Sequence, residues 1–208
     1  MTVDDSSPSA RQTELLERAY RYALDHGLAD MSLRPLAKAV DSSPRVLLYL
    51  FGSKDGLIRA LLARARVDEI EMLARLRETA AGKTPPGLEL VATEVWQWLS
   101  AEDHRALLKL WAEGYARSLV EPEGPWRGFA RATVEDWLDL LAGAQSPEER
   151  DTAAGRARRT QVLAVLRGAL LDLLATGDVD RTTAAVHQQL RETTSSMSEE
   201  PRSSRTAL

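Results

Sequence analysis

The sequence contains no cysteine among its 208 residues and only three histidines, His26, His104 and His187. The absence of cysteine excludes disulfides, thiolate zinc sites and cysteine nucleophiles. The three histidines are too widely spaced along the chain to match a metal-ligand motif. We therefore expect neither a metal nor another cofactor.

Long hydrophobic runs are also missing, and the first residues do not resemble a leader sequence. No apolar stretch approaches the ~20 residues that span a bilayer. The N-terminus, MTVDDSSPSA, is acidic and polar, whereas a signal peptide begins with a basic region followed by an apolar one. The sequence therefore predicts a cytoplasmic protein without a membrane partner.

Recognisable catalytic patterns are missing as well. There is no Ser-His-Asp arrangement, no metal-ligand spacing and no glycine-rich phosphate loop after a strand. The pairs Glu148-Glu149 and Glu199-Glu200 are better explained as charge at a helix start and in a tail than as paired catalytic acids. We expect no enzymatic activity, and an enzyme remains the alternative from another functional class.

The charge distribution is uneven although the net charge is only −4. Residues 11–66 contain ten Lys and Arg against six Asp and Glu, a net charge of +4, whereas residues 67–208 contain seventeen against twenty-three, a net charge of −6. A basic block ahead of an acidic remainder suggests a polyanion-binding segment joined to a body with another task. A block of this size is also compatible with an ordinary solvated surface.

Hydrophobic periodicity predicts an all-α protein with about nine helices. No segment alternates apolar and polar residues for long enough to form a β-strand. Gly- and Pro-rich stretches at 82–87 and 121–125 mark the clearest interruptions. The predicted helices cover residues 11–26, 33–40, 44–51, 54–80, 88–100, 103–120, 125–143, 148–176 and 180–194.

The second and third helices flank the turn Asp41-Ser42-Ser43 inside the basic block, a layout typical of a helix-turn-helix. In that geometry the second short helix enters the major groove, where Arg45 can bind guanine and Val46 can contact a thymine methyl. Lys54 and Arg34 would complement the phosphate backbone. The alternative is two ordinary helices, on which Lys54 and Arg34 are solvated charges.

Residues Gly27 to Leu62, GLADMSLRPLAKAVDSSPRVLLYLFGSKDGLIRALL, resemble the N-terminal domain of the tetracycline-repressor (TetR) family of transcriptional regulators. The most specific parts are Leu36-Ala37, Ser43-Pro44 and Tyr49-x-Phe51-x-Ser53-Lys54. The rest of the chain is similar in helix lengths and in the segment LRGALLDLLATGD, which resembles the dimerisation helix of the family. The resemblance implies DNA contacts by Arg34, Ser43, Pro44, Arg45, Val46, Tyr49 and Lys54.

Several positions depart from the family pattern. Asp41 stands where the family turn usually has glycine, so we expect it in a left-handed conformation, which aspartate tolerates better than most residues. Leu48 and Leu50 replace residues that often contact phosphate in the family. Leu48 and Leu50 favour, as the runner-up, a small-molecule-binding helical protein that has lost DNA binding.

Aromatic residues are concentrated between residues 96 and 137. Aromatic side chains that recur at helical spacing usually fill a core. The resemblance implies an effector pocket in this region instead, and both interpretations stay open. The candidate pocket residues are Trp96, Trp111, Tyr115, Trp126, Thr133 and Trp137.

The helix predicted at 148–176 is apolar on more than one face and therefore needs partners on two sides. The resemblance implies a homodimer interface made by this helix and the next, and an internal core is the alternative. A two-fold dimer would place two recognition helices about 34 Å apart, one DNA turn, on a near-palindromic operator. The candidate interface residues are Leu163, Leu166, Leu170, Leu173, Val186 and Leu190.

Taken together, the sequence predicts a ligand-responsive DNA-binding transcriptional regulator, a repressor that an unidentified small molecule releases from double-stranded operator DNA, with activation as the alternative. The predicted domains are a helix-turn-helix DNA-binding domain at 11–56 and a helical effector-binding and dimerisation domain at 57–194, with the linker helix at about 54–80. Disordered segments are expected at 1–10 and 195–208.

Overall fold

The structure is a computed structural model that describes residues 9–28, 31–80 and 85–195, excluding the side chains of 76–80 and 193–195. The segments expected to be disordered lie outside the described residues except at Ser9, Ala10 and Ser195. The described residues form ten α-helices and no β-strand, which confirms the all-α prediction. The helices are α1 (Ala10–His26), α2 (Leu33–Ala39), α3 (Pro44–Phe51), α4 (Lys54–Ala80), α5 (Leu88–Ser100), α6 (Arg105–Val120), α7 (Phe129–Gly143), α8 (Pro147–Arg150), α9 (Ala153–Thr176) and α10 (Val179–Ser195).

Hydroxyl side chains define where several helices begin. Ser9, Ser43 and Thr152 each precede a helix, and each hydroxyl accepts a hydrogen bond from the backbone N–H three residues later. Ser53 does the same for Gly56 at the start of α4, over 2.9 Å. These bonds satisfy N–H groups that have no partner within the helix.

The single helix predicted at 148–176 is two helices, α8 and α9, in the structure. The break occurs at Thr152, whose backbone is extended and whose hydroxyl caps α9. Gly155 permits this close connection, because a Cβ atom there would lie 2.0 Å from the carbonyl oxygen of Glu149. The predicted helix at 125–143 also begins later, at Phe129, after a turn in which Gly128 has a φ of 75°.

The chain divides into two compact units, Met1–Met72 with Asp103–Glu135 and Leu73–Glu102 with Asp136–Leu208, called here the first and the second unit. The first unit thus groups residues 103–135 with α1 to α3, whereas the sequence analysis proposes 57–194 as one domain. Helices α4 and α7 each contribute residues to both units. Over the described part of the chain, no helix combines the length and apolar character that crossing a membrane would require.

The core of the first unit joins α1 to α4 with residues of α6, of the segment that precedes α7 and of the first turn of α7. Leu15, Leu36, Leu47 and Leu61 are each at most 1% exposed. Burying side chains of this size contributes roughly 1.5 to 3 kcal/mol each relative to leaving them exposed. Leu110, Trp126 and Phe129 complete the same cluster.

A polar network connects α1 to α4 beside this core. The hydroxyl of Tyr20 donates to Asp68 over 2.7 Å, and Arg64 donates to Glu17 and to Asp68. The Arg64 guanidinium also lies 4.8 Å from the centroid of the Tyr20 ring. Burial raises the pKa of Tyr20 above its ordinary value, helped by the bond to Asp68, and the bond to Glu17 raises the pKa of Arg64.

In the second unit, α5, α9 and α10 pack against one another. Val91 and Val95 of α5 are at most 1% exposed, as are Leu166 of α9 and Val186 of α10. Trp96, also 1% exposed, donates from Nε1 to Thr183 Oγ1 on α10 over 2.9 Å. This bond satisfies the indole N–H, which is the only polar atom on the Trp96 side chain.

Candidate nucleic-acid interface

The turn between α2 and α3 is a tight helix terminus in which Asp41 has a φ of 53°. The N–H of Asp41 donates to the Lys38 carbonyl over 3.3 Å, and the N–H of Ser42 donates to the Ala37 carbonyl over 2.8 Å. This pair of bonds defines a Schellman motif, which usually has glycine in the left-handed position. The expectation of a left-handed aspartate at this position is therefore confirmed.

Helix α3 has one buried and one exposed face. Leu47 is buried in the core, and Leu50 and Phe51, three and four residues later, pack against it. The opposite face presents Arg45 and Tyr49, four residues apart, and Tyr49 is 86% exposed. Residues at this spacing lie on the same side of a helix. Helix α3 therefore uses one side to hold the fold and offers the other to a partner.

The seven residues predicted to contact DNA lie in the last turn before α3, on α3 and at the starts of α2 and α4. All are exposed except Pro44, which is half-buried at the first position of α3. The Ser43 hydroxyl already accepts from the backbone N–H of Val46 over 3.3 Å. Leu48 is 39% exposed beside Tyr49, whereas the half-buried Leu50 packs inward and would not face a phosphate.

The cations of this surface have no ionic partners in the part of the chain that the structure describes. Arg34, Arg45 and Lys54 make no ion pair or side-chain hydrogen bond there, in contrast to Arg64 of the same unit and Arg181 of the second unit. Unpaired cations remain available to an external polyanion, and their release of counterions would favour binding to DNA.

Lys38 is a further cation of this surface that the sequence analysis missed. It lies one turn after Arg34 on α2 and is likewise exposed and unpaired among the described residues. Both line a cavity of about 400 Å³ together with Asp41, Ser43 and Pro44. The four-residue spacing from Arg34 was the signal available in the sequence, because it places both cations on one helix face.

The candidate effector residues are divided between the two units. Trp96 and Trp137 belong to the second unit, and the other four belong to the first. Trp126 is 3% exposed within the core of the first unit, and the buried hydroxyl of Thr133 donates to the Phe129 carbonyl over 3.1 Å. These two residues therefore have structural roles, and their place in a pocket remains a prediction.

Trp111 and Tyr115 form an aromatic pair on α6, with ring centroids 5.0 Å apart. Both are half-buried and pack against the core of the first unit. The Nε1 atom of Trp111 is buried, and it has no hydrogen-bond partner among the described residues. A buried donor without a partner is unfavourable, so this atom marks a place where a ligand or water could accept a hydrogen bond.

Part of the sequence is similar to that of a known protein. No family model matches the sequence. The HTH-type transcriptional regulator BetI of Stenotrophomonas maltophilia is 25% identical over 113 residues, covering 54% of this chain. The chain spans 57% of the length of that curated relative.

Solved structures match over nearly the whole chain. A TetR transcription regulator from Haloarcula marismortui superposes with a TM-score of 0.67 at 16% identity, covering 90% of this chain and 98% of its own. The multidrug binding protein EbrR complexed with proflavin superposes with a TM-score of 0.56 at 26% identity, covering 86% and 99%. The chain has the fold of the TetR transcriptional regulators. Its curated relative is likewise a transcriptional regulator with a helix-turn-helix.

Within this TetR fold, the six candidate dimer residues on α9 and α10 are buried inside a single chain. Leu163, the most exposed of them, is only 4% exposed. A side chain with so little free surface gains little from a second copy. The six residues therefore form the internal core between α5, α9 and α10, and an interface on these helices would need other positions.

Exposed positions on α9 offer such a surface. Leu171 is 56% exposed, and Ala164, Gly168 and Ala175 are exposed on the same side at three- and four-residue spacing. A Cβ atom built at Gly168 meets no atom within 4 Å. This combination of small residues with one large apolar side chain permits close approach by another helix.

Proposed function

We propose that this chain is a transcriptional regulator that binds a near-palindromic DNA operator as a homodimer, and that a small molecule releases it. The observation that carries the proposal is the exposed face of α3, bordered by the unpaired cations Arg34, Arg45 and Lys54. This face belongs to a segment of net charge +4 in a chain of net charge −4. The dimensions of a short helix beside a tight turn suit the major groove.

The contacts divide by type. Arg45 and Val46 read base edges, with Arg45 bidentate to guanine and Val46 against a thymine methyl. Ser43 and Pro44 bring the start of α3 to the groove. Tyr49, Arg34 and Lys54 bind phosphates and set the register, and Lys38 joins them because it shares a cavity with Arg34.

The homodimer forms through the exposed face of α9 rather than through the leucines that the sequence analysis selected. Leu171 packs against the partner, and Gly168 lets the two helices approach closely. Two-fold symmetry then presents two α3 helices to successive major grooves about 34 Å apart. The half-sites of the operator are accordingly inverted repeats.

The effector is an aromatic small molecule that binds beside Trp111 and Tyr115 on α6 of the first unit. The unpartnered Nε1 of Trp111 can donate to a polar atom of the ligand. The paired rings of Trp111 and Tyr115 support an aromatic ligand, because aromatic rings pack favourably against one another. EbrR, a similar structure, is complexed with aromatic proflavin. Helix α4 supplies a continuous path for coupling, since its residues belong to both units.

Release requires that the ligand prefer the conformation with lower DNA affinity. In this mechanism α4 moves as a pendulum and changes the separation of the two α3 helices, so the half-site register is lost. Repression is the proposed mode, with activation as the alternative. The regulator acts in the cytoplasm and performs no catalysis.

Selection of duplexes from a random-sequence library by the purified chain tests this function. We expect enrichment of an inverted repeat whose half-site centres are one helical turn apart. No enrichment by a folded protein would favour the second candidate, a ligand-binding protein without DNA binding, which the exposed Leu48 supports.

A further inference from the structure

A cavity of about 470 Å³ in the first unit brings the first turn of α4 together with the segment between α6 and α7. Lys54 and Asp55 line it from α4, and Arg117 lines it from α6. Glu121 and Glu123 line it from residues 121–125, Glu-Pro-Glu-Gly-Pro, called here the acidic loop. Lys54, which is proposed to bind a DNA phosphate, thus lines the same cavity as Glu121 and Glu123, although these residues are far from it in sequence.

The acidic loop is fixed to the core of the unit. Trp126 follows it directly and is 3% exposed within the core cluster. The backbone N–H of Ala130 donates to the Ser118 hydroxyl over 3.1 Å, which connects the two sides of the loop. Pro122 and Pro125 further limit the backbone. The backbone that bears both carboxylates is therefore fixed at the cavity that Lys54 also lines.

The two carboxylates differ in how far their charge is compensated. Glu121 accepts a hydrogen bond from Arg117, and both side chains are partly shielded from solvent. Glu123 lies 3.4 Å from Arg127, but these side chains are 82% and 74% exposed. Exposed pairs of this kind interact weakly, so Glu123 is the less compensated of the two loop carboxylates.

We infer that the acidic loop restrains the DNA affinity of this protein by opposing the attraction between Lys54 and phosphate; this inference rests on the proposed function. A separation on the order of 10 Å would be comparable with the Debye length of about 8 Å at physiological ionic strength. A phosphate bound to Lys54 would lie within reach of the field of Glu123. One unit charge at this separation in water changes affinity about twofold for each protomer bound, and less as salt rises.

Glu123→Gln in the full chain tests the inference, with Glu135→Gln as the matched control. Glu135 is also exposed, also belongs to the first unit and also forms an i,i+4 pair with an arginine, but it does not line the cavity. Fluorescence anisotropy with a labelled random-sequence duplex at low salt measures the affinity. We expect Glu123→Gln to tighten binding about twofold per protomer, and Glu135→Gln to have little effect.

The same comparison in a Lys54→Gln background decides whether Lys54 is the group that the loop opposes. In that background, the gain in DNA affinity from Glu123→Gln should be less than half of the gain that the same substitution gives in the wild-type chain. Equal gains in both backgrounds, or equal gains from Glu123→Gln and Glu135→Gln, would mean that only net charge matters and would overturn the inference. Absence of any DNA binding by the folded wild-type chain would instead refute the proposed function on which the inference rests.

Discussion

The carboxylate of Glu113 on α6 accepts a hydrogen bond of 2.8 Å from the backbone N–H of Leu28, just after α1. Gly27 makes this approach easier, because a Cβ atom there would lie 3.0 Å from the same carboxylate oxygen, and its φ of 77° also suits glycine. The side chain of Leu28 is fully buried in the core of the first unit. Glu113 therefore fixes the segment that leads from α1 to the helix-turn-helix.

Glu113→Ala should destabilise the fold by about 1 to 3 kcal/mol, because the Leu28 N–H would lose its acceptor. Glu113→Gln keeps an oxygen acceptor and should cost less than half as much. Urea denaturation followed by circular dichroism measures both variants. Equal destabilisation by Ala and Gln would show that the charge of Glu113, and not the hydrogen bond, is what matters.

Arg45→Ala and Lys54→Ala should affect DNA binding differently. Loss of the proposed guanine contact of Arg45 should cost about 1 to 3 kcal/mol on the operator and relax base preference at one position. Loss of the phosphate contact of Lys54 should weaken binding to all sequences similarly and lower the salt dependence by about one unit of slope per contact. Titrations on operator and random duplexes at several salt concentrations would distinguish them. Identical losses on both duplexes for both variants would contradict the division of roles.

Leu171→Arg should weaken the homodimer without unfolding the chain, because Leu171 is 56% exposed within one chain. We expect the dimer dissociation constant to rise about tenfold or more, the effect of losing at least 1.4 kcal/mol at an interface. Analytical ultracentrifugation measures the dissociation constant. A variant that remains as tightly dimeric as the wild type would exclude this face of α9.

Leu166→Arg is the matched control on the same helix, because Leu166 is 1% exposed. Burying an unpaired guanidinium there should destabilise the chain itself by several kcal/mol. If Leu166→Arg instead stays folded and becomes monomeric, the buried leucines contribute to dimerisation as the sequence analysis first proposed.

Thr183→Val should destabilise the second unit by about 1 to 3 kcal/mol. Valine preserves the shape of the side chain but leaves Nε1 of the buried Trp96 without its acceptor. Thr183→Ser keeps the hydroxyl and should cost less than 1 kcal/mol. Thermal unfolding monitored by tryptophan fluorescence compares them, and a Val variant as stable as the Ser variant would show that this bond contributes nothing net.

Local chemistry made much of the fold predictable from sequence. Ser43 followed by Pro44 indicated the start of α3. The left-handed Asp41 was expected from the family resemblance, because Asp41 stands where the family turn usually has glycine. The break between α8 and α9 was missed because residues 148–161 contain no large apolar side chain, so hydrophobic periodicity could not indicate where one helix ends and the next begins. The Thr152 cap and the tight contact of Gly155 with the Glu149 carbonyl became apparent only in three dimensions.

The candidate site was predictable to different extents. The polar and charged residues of α2, α3 and the start of α4 are exposed where their helical positions suggested. The sequence could not decide whether the leucines of α9 belong to a dimer interface or to the core. An apolar stripe has the same pattern whether it packs against a partner chain or against α5 and α10. Only burial within one chain separates these cases, and it shows Leu166 in the core and Leu171 outside it.

Binding of the folded, full-length chain to the DNA that flanks its own gene is the most direct test of the central claim. An electrophoretic mobility shift at low salt, beside a shuffled duplex of the same composition, measures it. We expect a retarded complex with the flanking DNA that survives competition by excess shuffled duplex, and we expect Arg45→Ala to abolish that preference. A folded dimer that retards neither duplex, or both equally, would contradict it.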